Sequence, residues 1–353
     1  MDKLLSIIVP SYNMEHYLRT ALDSLVIVHN FSSMEIIVVN DGSDDDTSLI
    51  AHDYSSKYPE GIVVIDKLNG HYGSCINAAL KVVTGKYVKI LDADDCCFNE
   101  NLDDFIETLA KIDVDLVLSD YVKSFTSGKE ILYRYDLLPM QVLPFGDICD
   151  TRAIYDILMP AITYRTEVLR QVCYYQTEGI PYTDLEWCFF PMTAVTTVFY
   201  FDKFIYNYKM GREGQTMDPV IYRKAMPQRI KVLSGMLSRV RNYQLTSYAK
   251  VFIDGQLVKH AWYVYEYYLK TDIKEDRTLL IDFDQKFREC APVAYSRCDK
   301  FNYRLHVPYH FVKSWRNNPN NRIPVYIRAY SAILDIFGSF HVRMMKTNPN
   351  LER

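Results

Sequence analysis

Residues 92–95 read Asp-Ala-Asp-Asp, three carboxylates within four positions. Packed side by side they repel one another, and the arrangement lowers stability unless a cation neutralises it. Carboxylate oxygens are hard ligands that select Mg2+ or Mn2+, and a diphosphate can complete the coordination of either ion. A second polar group, Asn40-Asp41-Gly42-Ser43-Asp44, lies about fifty positions upstream. Asn, Asp, Ser and Gly are also ordinary turn residues and helix caps, which accounts for Ser43 and Asp44 ahead of a helix but poorly for Asp92, Asp94 and Asp95. The eight cysteines form no CxxC pair and no zinc-ligand spacing, so they are expected to be free, mostly buried thiols. Any metal must therefore be held by carboxylates.

These residues need a frame that brings them to one edge. Short apolar runs at 4–9, 34–39, 61–65, 86–91 and 114–119 alternate with helical patterns over 13–26, from 44, over 75–83 and over 101–112. Strands that are apolar along their whole length and separated by helices predict βαβ units and a mainly parallel sheet with both faces covered. In such a sheet, ligands bind beyond the carboxyl ends of the strands. The residues just past the runs are Pro10-Ser11-Tyr12-Asn13, then the Asn40 group, then Lys67-Leu68-Asn69-Gly70, then Asp92-Ala93-Asp94-Asp95. Polar and acidic side chains thus converge on one edge.

Composition narrows the class. With 353 residues, 49% apolar and 24% charged, the chain can bury a sizeable core, and neither a disordered scaffold nor a single small module fits. No apolar run reaches the ~18 residues of a membrane span, and Pro10 comes too soon for a signal-peptide core, so a cytoplasmic location is expected. The net charge of −4 hides an asymmetry: residues 220–353 carry 23 Lys and Arg against 11 Asp and Glu, leaving 17 against 33 for residues 1–219. A basic surface can meet nucleic acid, but no zinc finger, RNP-like segment or recognition-helix pattern accompanies it, so nucleic acid is not expected as a partner. An anionic membrane surface, such as the inner face of the cell membrane, or self-association against the acidic half are the alternatives.

Six blocks in order, SIIVPSYN (6–13), VNDGSDDDT (39–47), NGHYGSCINAAL (69–80), LDADD (91–95), YTDLEW (182–187) and GREGQT (211–216), resemble the family 2 glycosyltransferases, inverting enzymes with the GT-A fold. The resemblance implies a nucleoside-diphosphate sugar as donor and a bacterial capsule, exopolysaccharide or other cell-surface glycan, free or lipid-linked, as acceptor. It implies that Pro10, Tyr12 and Asn13 border the base and that Asp41 accepts the imide N–H of uracil or thymine, a donor that cytosine and adenine lack there. Asn69, Gly70 and Gly73 would flank the nucleoside, Asp92 would face the ribose or a metal-bound water, and Asp94 would hold Mn2+ or Mg2+. The base of the inverting reaction maps to Asp184, in a segment where Thr183 replaces the family's usual glutamate; Glu186 is the fallback. Arg212 would meet the diphosphate from a glycine-rich segment. Neither the Gln-x-x-Arg-Trp motif nor the membrane helices of processive relatives is present, so one sugar per encounter is expected.

The expected organisation is a GT-A domain over 1–219, with a nucleotide-sugar half to about 120 and an acceptor half beyond it, then a basic, mostly helical region over 220–353. Helices are predicted over 219–241, 246–269, 278–289 and 325–345, with the aromatics among them in the core. A dehydrogenase is excluded by the absence of GxGxxG after the first strand. The rival from another class is a non-catalytic sugar-nucleotide binding subunit that supports a separate transferase.

Overall fold

The computed structural model describes residues 3–212, 225–271, 277–303, 307–330 and 332–334, with backbone alone at 270–271. The chain forms two compact units, residues 1–255 and 256–353.

The first unit is built on a ten-stranded sheet: β1 (Leu5–Ser11), β2 (Met34–Asn40), β3 (Ile62–Asp66), β4 (Tyr87–Ile90), β5 (Cys96–Cys97), β6 (Leu116–Phe125), β7 (Glu130–Tyr133), β8 (Val142–Pro144), β9 (Ile162–Arg165) and β10 (Thr197–Met210). Its order is β3-β2-β1-β4-β9-β6-β10-β5, with β7 on β6 and β8 on β10. Strands β1 to β4 are parallel, and Ile8 pairs with Ile37 on one side and Ile90 on the other. Every residue of β1 and β2 is buried, as their unbroken apolar runs require of strands covered on both faces. Antiparallel β9 then separates β4 from β6, so the sheet is mixed beyond the parallel quartet. The strand order reverses between β1 and β4, which opens a crevice beyond their carboxyl ends.

A buried carboxylate ties the opposite ends of the same strands. Glu35, 7% exposed, accepts hydrogen bonds from the Ser6 hydroxyl, from Thr84 N–H at 2.7 Å, from the Thr84 hydroxyl at 2.9 Å and from Gly85 N–H at 3.1 Å. Four donors on one carboxylate offset its burial and lock β1, β2 and the entry to β4 in register.

The helices follow the expected pattern with shifted starts. The first begins at Leu18, not 13, because Asn13 adopts a left-handed φ of +54° and the chain turns before it can wind. The next three run Thr47–Lys57, His71–Leu80 and Asn99–Lys111. Helix Met226–Val240 belongs to the first unit, while helix Ser247–Thr271 passes from the first unit into the second. Residues 219–224 of the expected 219–241 helix lie outside the described residues, as does most of 325–345.

The second unit contains helices Arg277–Cys290, Pro292–Arg297 and Phe311–Asn317. Its aromatics form a core, with Tyr265, Phe283, Phe287, Tyr303, Phe311 and Trp315 all buried. Arg316 is held within it by Asp284 at 2.9 Å and Asp299 at 2.8 Å, with its guanidinium 3.4 Å from the centre of the Tyr295 ring. No described helix is long and apolar enough to cross a membrane. All eight cysteines are free thiols, five of them buried.

Candidate functional site

The ends of β1, β2 and β3 are stitched together before any side chain is considered. Asp41 N–H donates to the Ser11 carbonyl at 2.9 Å and Lys67 N–H to the Asn40 carbonyl at 3.0 Å. Pro10 is the penultimate residue of β1 and buried, whereas Tyr12 is 44% exposed at its end. Asn13 clamps the neighbouring loop: its N–H donates to the Ser43 hydroxyl at 3.0 Å, and its Oδ1 accepts Asp44 N–H at 2.9 Å. Gly42 must be glycine, since its φ is +70° and a Cβ would stand 3.0 Å from the Asn69 backbone nitrogen.

Asp41 is 2% exposed, and its Oδ1 takes three donors: Lys67 Nζ at 2.5 Å, Gly70 N–H at 3.0 Å and the Ser74 hydroxyl at 3.4 Å. The lysine charge makes this burial tolerable. Asn69 is exposed, and its Oδ1 accepts His71 N–H at 3.3 Å where helix His71–Leu80 begins. Gly70 and Gly73 are both crowded: a Cβ on Gly70 would lie 2.6 Å from the Ser74 hydroxyl, and the space beside Gly73 is filled by the Thr177 carbonyl.

The three carboxylates after β4 present oxygens that all lie within 4.8 Å of one another. Each is held differently. Asp92 Oδ1 accepts the Tyr72 hydroxyl at 2.9 Å, and Asp92 N–H donates to the Tyr206 hydroxyl at 3.1 Å. Asp95, 1% exposed, has both oxygens engaged, by the Tyr206 hydroxyl at 2.6 Å and by Lys209 N–H at 2.7 Å. Asp94 Oδ2 meets Arg212 Nε at 2.7 Å, and that guanidinium lies 5.1 Å from the centre of the Tyr17 ring. Gly211 precedes it with φ +94°, and Glu213 to Thr216 of the same block lie outside the described residues.

Crowding sets the electrostatics. Loss of solvent, then the charge of Asp94, pushes the Asp92 carboxyl up to about 7; Asp184 adds to the rise, while the Tyr72 hydrogen bond and Arg212 oppose it. Burial, then the charges of Asp92 and Asp94, raise Asp95 well above the usual carboxylate range, against its hydrogen bonds from Tyr206 and Lys209. Three hard oxygen donors, two of them, Asp92 and Asp95, with proton affinity raised by burial and then by neighbouring carboxylates, form a set that a dication would relieve. The donor chemistry fits a divalent ion.

Asp184 opens a short helix, Asp184–Trp187, with its side chain reached by water. The surrounding protein still removes enough solvent to raise its carboxyl above the ordinary value, against the charge of Arg229. Asp184 lies close enough for its charge to raise Asp92, Tyr72 and Tyr208 in turn. Thr183, fully buried, accepts Gln176 Nε2–H at 3.0 Å. Glu186 is also fully buried: it pairs with Arg239 Nη1 at 3.0 Å and accepts Thr177 N–H at 2.6 Å and the Thr177 hydroxyl at 2.7 Å. Its geometry is that of a packing ion pair.

Asp92, Asp94, Arg212 and Asp184 therefore gather at one edge, and Asp41, Asn69 and Gly70 gather beside the ends of β2 and β3. Lys67, Tyr72, Tyr206 and Arg229 join them without having been singled out. Tyr72 sits inside the NGHYGS block and could have been noticed there. Tyr206 is separated from Asp95 by 111 positions, and nothing local marks it.

Residues 6–173 match the family model described as Glycosyl transferase family 2. The uncharacterized glycosyltransferase RP339 of Rickettsia prowazekii is 41% identical over 110 residues, which are 31% of this chain and 33% of that protein. The minor teichoic acid biosynthesis protein GgaB of Bacillus subtilis is 38% identical over 114 residues, 31% of this chain and 13% of that protein. The chain thus spans a third or less of the length of these relatives. Residues 1–349 of TarS of S. aureus, solved in complex with UDP-GlcNAc, superpose with a TM-score of 0.66 at 22% identity, covering 82% of each chain. The parallel quartet and the acidic edge beyond it lie within residues 6–173, the stretch that matches the family 2 glycosyltransferase model, and the fold is of the GT-A type.

Proposed function

We propose that this chain transfers one sugar from a UDP-sugar, or a dTDP-sugar, to a hydroxyl of a cell-surface glycan or lipid-linked glycan, with inversion and with Asp184 as general base. The observation that carries this reading is the proximity of Asp184 to the acidic cluster: its charge raises Asp92. An inverting transfer needs a base on the acceptor side and charge compensation on the leaving diphosphate, and these two groups supply one each. The similarity to GgaB, a minor teichoic acid biosynthesis protein, and to TarS in complex with UDP-GlcNAc supports the donor and acceptor classes.

The residues divide the work. Asp41 Oδ2 can accept the imide N–H of uracil or thymine while Lys67 and Gly70 hold Oδ1. Pro10, Tyr12 and Asn13 border that base, and Asn69 to Gly73 flank the nucleoside. Asp94 and Asp92 would hold Mn2+ or Mg2+, with Asp95 kept by Tyr206 and Lys209 as the support behind them. When bound, the ion offsets charge that grows on the nucleoside diphosphate as the glycosidic bond breaks. Asp184, with its raised proton affinity, takes the acceptor proton, a task best done by a carboxylate whose pKa lies nearer neutrality. Residues 220–353 bring the domain to its acceptor at an anionic membrane face.

A thermal-shift screen of UDP- and dTDP-sugars with Mn2+ identifies the donor, because a ligand stabilises the fold by RT ln(1 + [L]/Kd). Transfer or donor hydrolysis with the best stabiliser tests the activity. Stabilisation without either reaction, across the acceptors tried, would leave only a binding subunit.

A further inference from the structure

The Asp94–Arg212 contact joins two groups that the proposed reaction assigns to different partners, the carboxylate to a cation and the guanidinium to phosphate oxygens. They stand 2.7 Å apart, with side chains only 24% and 12% exposed for Arg212 and Asp94. The Tyr17 ring lies 5.1 Å from the guanidinium carbon on a further side, so the arginine is backed by an aromatic while it faces the carboxylate. The other oxygens of the cluster are differently placed: Asp95 is committed to Tyr206 and Lys209, and Asp92 Oδ1 to Tyr72. Asp94 forms an ion pair with a side-chain cation, Arg212.

A divalent ion ligated by Asp94 Oδ2 sits about 2.1 Å from it. A guanidinium nitrogen on the same oxygen would then lie within a few ångströms of a dication, where repulsion between the two charges is large at the effective dielectric of a half-buried site. One oxygen cannot serve both. A diphosphate changes the balance, because its oxygens offer the planar guanidinium a paired acceptor of higher charge than one carboxylate.

We propose that Arg212 is a built-in competitor for the metal position on Asp94, and that the diphosphate of the donor draws it off, so that divalent ion and nucleoside diphosphate each bind more tightly when the other is present. This rests on the metal- and diphosphate-binding reading of the site. The same arginine thus guards the cluster from binding metal alone and gives the diphosphate a partner. By linkage, the factor by which UDP tightens the ion equals the factor by which the ion tightens UDP.

The test is titration of Mn2+, followed by the paramagnetic resonance of the free ion, with and without UDP, on wild type, Arg212→Gln, Arg212→Lys and Tyr17→Ala. In wild type UDP should tighten Mn2+ by about fivefold or more, within the usual range for coupled sites. Arg212→Gln should tighten Mn2+ alone by a similar factor and reduce the UDP effect to about twofold, while Arg212→Lys, which keeps the charge but loses the planar fork, should fall between wild type and Arg212→Gln. Tyr17→Ala removes the ring behind the guanidinium without touching either charge, and should move Mn2+ binding in the direction of Arg212→Gln by less. If Arg212→Gln and Tyr17→Ala bind Mn2+ alone no more tightly than wild type, yet all three bind it with UDP, the competition is wrong and the metal reading stands. If wild type binds no Mn2+ even with UDP, the metal reading fails and this inference fails with it.

Discussion

The Tyr206 hydroxyl donates to Asp95 Oδ2 at 2.6 Å and accepts the backbone N–H of Asp92 at 3.1 Å. One phenol from β10 thereby sets the spacing of the acidic cluster that follows β4. Tyr206→Phe removes the donor and leaves a buried carboxylate oxygen without its partner, at an expected cost of ~1–3 kcal/mol in stability. Metal-supported UDP binding should weaken as well. Chemical denaturation and UDP titration with Mn2+ measure the two effects, and an unchanged midpoint would mean that Asp95 is held by other groups.

Asp184→Asn should lower transfer by ~10² to 10⁴ while leaving UDP affinity within about threefold, since a general base acts on the acceptor proton and not on the donor. Retention of more than about a tenth of the activity rules Asp184 out as the base.

EDTA should abolish transfer, and Mn2+ or Mg2+ should restore it. Asp94→Ala should weaken UDP binding in the presence of metal and change it little in chelator, because the ion bridges carboxylate and diphosphate. Full activity in EDTA would give the carboxylate cluster a structural role only.

The Asp92 carboxyl, pushed up to about 7, carries a sign for stability. Its unfolded value is about 3.9, so between about pH 4 and 7 the folded state binds the proton more tightly than the unfolded chain, and this group's contribution falls as pH rises. In chelator, Asp92→Asn should therefore melt higher than wild type at pH 8, and the gap should narrow as pH falls below about 7 and close near pH 4. Melting curves of both proteins across that range decide it; a gap that widens toward low pH would contradict the assignment.

Residues 301–353 carry eight Lys and Arg against two Asp and Glu. Near an anionic leaflet each basic residue contributes ~1 kcal/mol, so the full chain should sediment with anionic liposomes at low salt and release at high salt, and a chain ending at residue 318 should bind less. Failure to bind at low salt, or no effect of truncation, favours self-association, which sedimentation velocity would detect.

Sequence alone determined the parallel quartet and its acidic edge. Unbroken apolar runs such as SIIV and EIIVV can satisfy their burial only inside a two-faced sheet, and the residues that follow such strands must then share one edge. That is why Asp41, Asp92 and Asp94 could be named without coordinates. Asp184 was named through the resemblance to the family, carried by six blocks in order, and not by any local pattern.

Tertiary structure decided which partners these groups keep. Glu186 differs from Asp184 by two positions, yet it is buried against Arg239, because four residues of helix turn the two side chains to different sides. Tyr206 reaches Asp95, and Arg212 reaches Asp94, across 111 and 118 positions, joined by the pairing of β10 with β6 and β5. Contacts of that span leave no periodic or spacing signal. They exist only once the sheet has closed and burial makes each unpaired charge costly enough to demand a partner.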